Sequence, residues 1–345
     1  MKIILYIGNH LSHGGSYPSV AESMAPLLLP EVQLHLVSNK KLKVRRLVDM
    51  LWSILRHGRK EQPVVIDVYS TLNFYYAYFC GLLCRLLGIS YICILHGGNL
   101  PYRLKRLPMM SRMLFGGARD LVAPSGYLQA AFLKNGYAAS VIPNFIPIEN
   151  YPFKLRSKVE PRLLWVRAFD ATYNPQMAIH VLHLLSDKYP QAALCMVGPD
   201  KDGSMNSCRQ LAQELGIADR VQFTGRLTKR EWIGLSSDYD LFINTTNFDN
   251  TPVSVIEAMA LGLPVVSTNV GGVPYLISDN TNGLLVNSGD VNGMVAKLGW
   301  LINHPTEAGQ LALRARKQVG EFDWALVKYK WFKILDEMET PLIKE

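Results

Sequence analysis

Residues 244–272 read Asn244-Thr-Thr-Asn-Phe-Asp249-Asn-Thr251-Pro252-Val253-Ser254-Val-Ile-Glu257-Ala-Met-Ala-Leu-Gly-Leu-Pro264-Val-Val-Ser-Thr-Asn-Val-Gly271-Gly272. The apolar run 239–244 before this stretch predicts a buried strand. A polar loop then leads to Pro252, a residue suited to the first turn of a helix because it has no amide proton to lose there. The helix expected over 252–261 opens with backbone N–H groups that lack intrahelical acceptors and with the positive end of its dipole, a ready seat for a diphosphate. Glu257 lies one to two turns further on, where a carboxylate can accept both hydroxyls of a ribose. Asp249, eight residues earlier, sits in the loop within reach of sugar hydroxyls. Pro264-Val-Val then starts another strand, 264–267, and strand, helix start and strand in this order make one βα repeat of a parallel sheet.

The same rhythm runs through the chain in both directions. Upstream of the quoted stretch it predicts strands at 162–166, 192–198 and 220–224, and helices at 175–187, 206–215 and 228–236. Thr228-Lys229-Arg230-Glu231 is a capping box that fixes the last of these helix starts. From Asp290 the chain reads as helical throughout. In the first half, strands are expected at 2–8, 32–37, 63–68, 90–95, 120–123 and 139–142, with helices such as 42–55 and 73–87 between them. Pro143, Pro147, Pro152 and Pro161 break the alternation, so 143–161 reads as an interdomain linker. The expected architecture is α/β: two Rossmann-like, doubly wound domains facing a central cleft, with ligands at the carboxyl ends of the strands.

A chain of 345 residues fits two such domains. The most apolar stretch, 74–95, is interrupted by Arg85 and Gly88 and reads as a helix followed by a strand, not as a membrane span. The start, Met1-Lys2-Ile3-Ile4-Leu5-Tyr6-Ile7, reads as a strand and not as an export signal, which sets the expected location as cytoplasmic. Five scattered cysteines without a CxxC pair fit reduced core thiols. Charge is uneven: residues 1–150 hold 16 Lys/Arg against 7 Asp/Glu, whereas the remainder holds 20 against 21. The stretches 40–56 and 103–115 interleave cations with apolar residues, and each fits either an anionic membrane surface or a core-facing helix with a solvated basic side. No recognised nucleic-acid motif accompanies the charge, so nucleic acid is not an expected partner.

The spacing of Asp249 and Glu257, the Glu257-Ala-Met-Ala-x-Gly-x-Pro-Val-Val run and the later Gly271-Gly272 together resemble the retaining family 4 glycosyltransferases of GT-B fold. Further likenesses are Gly14-Gly15 before a helix, His96-Gly97-Gly98 after a strand, Val141-Ile142-Pro143-Asn144, Val197-Gly198, Phe223-Thr224-Gly225-Arg226 and Asn282-Gly283-Leu284-Leu285-Val286. The resemblance implies an acceptor-binding domain over 1–147, a donor-binding domain over 160–322, and a C-terminal helix, 323–340, returning to the first domain. It implies transfer of a hexose-type sugar from a UDP- or GDP-sugar to a saccharide or lipid-linked acceptor in surface polysaccharide biosynthesis, with retention and without a metal or other cofactor. Implied catalytic residues are His96, Arg167 and Asp249; implied donor ligands are Gly14, Gly15, Arg167, Gly198, Arg226, Asp249, Thr251, Pro252, Val253, Ser254 and Glu257. The amides of Gly14 and Gly15, Arg167 and the helix start would stabilise the leaving diphosphate.

Two departures stand out. The family's first acid is usually Glu, and here it is Asp249. The family also follows its Gly-Arg with a Lys-Gly five residues on, where this chain has Val166-Arg167 and then Thr172-Tyr173-Asn174-Pro175. Lys201 is the candidate replacement as second phosphate cation. Asp200-Lys-Asp202 and Asp238-Tyr-Asp240 spell a metal-binding string of another transferase fold, but their positions favour turns and a strand cap. The alternatives are a nucleotide-sugar epimerase of the same fold and a degenerate nucleotide-sugar-binding scaffold subunit.

Overall fold

The computed structural model describes residues 2–11 and 19–336. The chain divides into two compact units, one ending at Asn144 and resuming at Ala325, the other spanning Phe145–Trp324.

In the first unit, β1 (Lys2–Ile7), β2 (Val32–Val37), β3 (Val64–Val68), β4 (Tyr91–Leu95), β5 (Asp120–Ala123) and β6 (Ser140–Val141) form one sheet in the order β2-β1-β3-β4-β5-β6. All pairs are parallel. Every residue of β3 and β4 is buried, as strands covered by helices on both faces must be. The helices are α1 (Val20–Met24), α2 (Lys43–His57), α3 (Asn73–Leu87), α4 (Leu100–Arg106), α5 (Pro108–Phe115) and α6 (Gly126–Leu133).

The second unit carries β7 (Arg162–Val166), β8 (Ala193–Val197), β9 (Val221–Gly225), β10 (Leu241–Asn244), β11 (Val265–Thr268) and β12 (Leu284–Val286), ordered β12-β11-β10-β7-β8-β9 and again all parallel. Its helices are α7 (Pro175–Lys188), α8 (Ser204–Glu214), α9 (Lys229–Leu235), α10 (Val253–Ala260), α11 (Val291–Asn303) and α12 (Pro305–Val319). The last helix, α13 (Trp324–Asp336), belongs almost wholly to the first unit, where the Lys2 ammonium donates to the Leu335 carbonyl at 2.7 Å. In both sheets the order reverses beside the first strand, between β1 and β3 and between β7 and β10. Such switch points open a crevice at the carboxyl ends of the strands.

Three expectations need correction, while the Asp-x-Asp acids and the cysteines lie as expected. The proline-rich segment is no free linker: Ile146, Tyr151 and Val159 are buried in the second unit's cores. Arg156, itself buried, clamps it by donating to the carbonyls of Gly262 and Tyr239, both at 2.9 Å, beside the Asp240 carboxylate. The C-terminal region is broken at His304 and over 320–323. The basic stretch 103–115 is two helices, because Pro108 lacks the amide that would continue α4. Asp240 pairs with Arg162 at 2.8 Å, and Asp200 and Asp202 accept turn amides from Gly203, Ala171 and Ser204. All five cysteines are buried and free, and burial pushes the Cys84 and Cys208 thiols up to about 12. Among the described residues no helix is long and apolar enough to cross a membrane.

Candidate functional site

At the switch point of the second sheet, β7 delivers Arg167 and β10 leads into the loop that carries Asp249. The two strand ends are locked together where Trp165 Nε1 donates to Thr245 Oγ1 at 3.0 Å. Arg167 sits on the Asp249 carboxylate and 4.7 Å from the centre of the Tyr173 ring. Both ion-pair partners are mostly covered, with side chains 14% and 15% exposed. Burial pushes the guanidinium pKa down, while Tyr173 and the Glu257 charge push it back. A guanidinium does not lose its proton in a protein, so the result is a poorly hydrated cation ready for an anion.

Glycines make these close approaches feasible. A Cβ on Gly198 would overlap the Arg167 carbonyl, and Cβ atoms on Gly271 and Gly272 would overlap the carbonyls of Asp249 and Asn250. Gly272 N–H donates to the Asp249 carbonyl at 3.0 Å, so the Gly-Gly pair holds the Asp249 loop from behind.

Helix α10 begins after Pro252, which offers no side-chain cap. The amides of Val253 and Ser254 are among those a helix leaves without intrahelical acceptors. Ser254 is buried and its Oγ has no hydrogen-bond partner. Thr251 is buried beside it. Such an orphaned hydroxyl next to open amides is what an oxyanion would satisfy.

One to two turns on, Glu257 is buried and its Oε1 accepts from Tyr151 OH at 2.8 Å and from the Lys229 ammonium. Burial first, and then the Glu257 charge, raise the Tyr151 pKa far above its ordinary value. Neither Tyr151 nor Lys229 was recognised from the sequence as a site residue. Lys201 and Arg226, by contrast, are exposed in their loops. Lys201 uses its backbone amide to bind the Phe169 carbonyl, and no described group engages its side chain. Lys229 reaches the site through its ion pair with Glu257.

The first unit has its own polar cluster, also at a switch point. His96, after β4, meets Asp67 Oδ1 through Nε2 at 2.7 Å and stacks on Tyr69 with ring centres 5.2 Å apart. Tyr6 OH donates to the same Asp67 oxygen at 2.6 Å. His10 is buried nearby with Nδ1 3.1 Å from Ser19 Oγ and with Nε2 unpartnered. Burial lowers its pKa against the pull of Asp67 and Glu22. Asp67 went unremarked in the sequence, although a carboxylate inside Val64-Val-Ile-Asp-Val68 is a signal that it faces a polar site. Gly14 and Gly15 lie outside the described residues. Among the described residues no group of three or more His, Cys, Asp or Glu is placed to hold a metal ion.

Two parallel, doubly wound units in succession define the GT-B fold. Solved structures agree. Anabaena HepE in complex with UDP-glucose aligns with a TM-score of 0.78 at 17% identity, covering 98% of this chain and 100% of that one. Sucrose-phosphate synthase from Thermosynechococcus elongatus aligns with a TM-score of 0.80 at 17% identity, covering 98% and 99%. The sequence model of the glycosyl transferases group 1 matches residues 147–318, about half of the chain, and the chain belongs to that family. Among curated relatives, an uncharacterized glycosyltransferase of Haemophilus influenzae is 28% identical over 60% of this chain. A D-inositol 3-phosphate glycosyltransferase of Mycolicibacterium smegmatis is 26% identical over 46%. The chain spans 57% and 37% of the lengths of these two relatives.

Proposed function

We propose that this chain is a retaining glycosyltransferase that moves a hexose-type unit from a UDP- or GDP-sugar to a saccharide or lipid-linked acceptor in surface polysaccharide assembly. The observation that carries the reading is the self-paired site of the second unit. Two cations, Arg167 and Lys229, each rest on a carboxylate, Asp249 and Glu257, beside an uncapped helix start. A nucleoside diphosphate sugar brings two kinds of group that suit this arrangement. Its phosphates attract the cations and the α10 amides, and its ribose and sugar hydroxyls replace the cations on the carboxylates.

On this reading Lys229, released from Glu257 by the ribose, supplies the second phosphate charge that Lys201 was expected to supply. Charge developing on the leaving diphosphate then meets Arg167, Lys229 and the helix start, groups fixed before the bond breaks. The His96–Asp67 pair is the first unit's polar equipment for substrate hydroxyls, with Asp67 fixing the imidazole orientation. UDP-sugars come first in the donor search, since the HepE structure holds UDP-glucose.

Calorimetric titration with UDP, GDP and uridine tests the proposal. UDP or GDP should bind at micromolar levels or tighter. Lys229→Ala should weaken diphosphate binding about tenfold, the scale of one exposed charge-assisted contact, and leave uridine unchanged. Lys201→Ala should change neither. Absence of binding by either nucleoside diphosphate would overturn the donor reading, and equal losses for UDP and uridine would show that Lys229 acts only by holding Glu257.

A further inference from the structure

The Asp249 carboxylate engages only part of the Arg167 guanidinium. Nη2 donates to Asp249, whereas Nε, on the same edge of the plane, is buried and without a hydrogen-bond partner. A buried charged donor left open is uncommon, and an oxyanion accepting from Nε and Nη2 together would complete that edge. One face of the guanidinium is already covered. The Tyr173 ring lies against it, with 4.7 Å from the guanidinium carbon to the ring centre.

The backbone around Tyr173 is fixed without help from its side chain. Ala171–Tyr173 form a short 3-10 turn entered through Asp170, whose carboxylate accepts from Thr172 N–H at 2.9 Å. The Asp202 carboxylate accepts from Ala171 N–H at 2.8 Å. The chain after β10 holds the other side: Thr245 Oγ1 donates to the Tyr173 carbonyl at 2.9 Å, and Asn247 N–H to the Thr172 carbonyl at 2.8 Å. Because Thr245 Oγ1 also accepts from Trp165, one hydroxyl ties the strand that delivers Arg167 to the turn that delivers Tyr173. The ring itself is half-buried against the second unit's core.

We propose that Tyr173 is a positioning residue for the donor diphosphate: its ring holds the plane of the Arg167 guanidinium while the Nε–Nη2 edge passes from Asp249 to phosphate. The inference rests on the donor reading above. When phosphate and sugar hydroxyls separate Arg167 from Asp249, the guanidinium loses one contact that orients it, and the ring is a contact that stays. A planar, bidentate cation depends on such support more than a point-charge ammonium does. Holding a rotamer-rich side chain in place beforehand also reduces the entropy lost on binding. The departure at Thr172-Tyr173 thereby gains a role, since this stretch has no lysine and instead carries an aromatic face for Arg167.

The test is isothermal titration of the full chain with pyrophosphate, with whichever of UDP and GDP the parent binds more tightly, and with the matching nucleoside. Tyr173→Leu keeps bulk and removes the aromatic face. It should weaken pyrophosphate and the nucleoside diphosphate by about tenfold, the scale of a largely desolvated cation–π contact, and leave the nucleoside unchanged. Tyr173→Phe should recover most of that loss, because the ring and not the hydroxyl makes the contact. In an Arg167→Ala background Tyr173→Leu should weaken the diphosphate by less than about twofold further, since the group it positions is gone. Pyrophosphate affinity that is unchanged in Tyr173→Leu, or reduced as much in Tyr173→Phe, overturns the proposal. So does a full tenfold further loss in the Arg167→Ala background, or an equal loss for the nucleoside, either of which would make the ring a packing element of the turn. A parent that binds neither nucleoside diphosphate removes the donor reading, and the role of Tyr173 with it.

Discussion

Glu257→Gln replaces a carboxylate by an amide of the same shape, and the structure separates its effect on folding from its effect on ligand. The Glu257 side chain is 4% exposed, and Gln keeps an oxygen to accept from Tyr151 OH, now at 2.8 Å. What folding loses is the charge opposite Lys229. That ammonium's side chain is 54% exposed and solvent-screened, so the pair contributes no more than about 1 kcal/mol. The lower cost of burying a neutral amide offsets part of this. Melting should therefore shift by no more than a few degrees. Nucleotide binding loses more. Hydrogen bonds from ribose hydroxyls to a charged acceptor contribute about 1.5–3 kcal/mol each, and the amide's single acceptor oxygen is already engaged by Tyr151. A loss of about 2–3 kcal/mol raises Kd for UDP by roughly 30- to 150-fold. Pyrophosphate has no ribose and should bind the variant no more weakly than the parent. Isothermal titration with both ligands, alongside thermal unfolding, measures all three quantities. An unchanged Kd for UDP would remove Glu257 from the ribose, and equal losses for UDP and pyrophosphate would move it to the phosphates.

Other substitutions probe the rest of the framework. Arg167→Ala removes a preorganised cation and strands Asp249; kcat/KM should fall by about 2–4 kcal/mol equivalent, roughly 30- to 1,000-fold, with both UDP and pyrophosphate bound more weakly. A decrease of less than threefold would show that the leaving charge is handled elsewhere. Gly271→Ala must fit a Cβ against the Asp249 carbonyl at a φ of 54°, so it should destabilise the second unit by about 1–3 kcal/mol in denaturant titrations and weaken donor binding. His10 has a folded pKa below its ordinary value of 6.5, so the unfolded chain binds more protons between the two values. Its stabilising contribution is complete above about pH 6.5 and is lost as pH falls below that toward the folded pKa. His10→Asn should flatten the dependence of Tm on pH between about 7.5 and 5.5, and an identical slope in parent and variant would contradict a buried neutral imidazole.

The alternation of strands and helices was legible because parallel strands buried on both faces need continuous apolar runs, as in Val64–Val68 and Tyr91–Leu95. An element too short to show a period escaped: β12, with three residues. Composition misled at 143–161. Four prolines suggested a linker, yet proline disfavours regular structure without disfavouring burial, and Tyr151 there donates to the Glu257 carboxylate. Asp249, Glu257 and the helix start were readable because local spacing fixes them. The partners of those carboxylates were not, because sheet order sets them: Lys229 is 28 residues from Glu257 in sequence and Tyr151 is 106.

On the proposed reading, Lys229 shows why a missing motif residue is weak evidence of lost function. Its local signal was the capping box, and the box is real, with Glu231 N–H donating to Thr228 Oγ1 at 3.3 Å and Thr228 N–H to the Glu231 carboxylate at 2.7 Å. That box fixes where α9 starts, and the start places the next residue's ammonium on Glu257. A cation acts on phosphate through position and charge, so any strand end that reaches the switch point can deliver it. The pairing also answers a cost that a binding site of this kind carries while empty. Two largely buried carboxylates with no partner would be strongly unfavourable, and Arg167 and Lys229 keep the ligand-free site neutral. On the proposed reading, entering donor exchanges charge between partners instead of newly burying it, so that one set of four side chains serves both the folding of the second unit and ligand recognition.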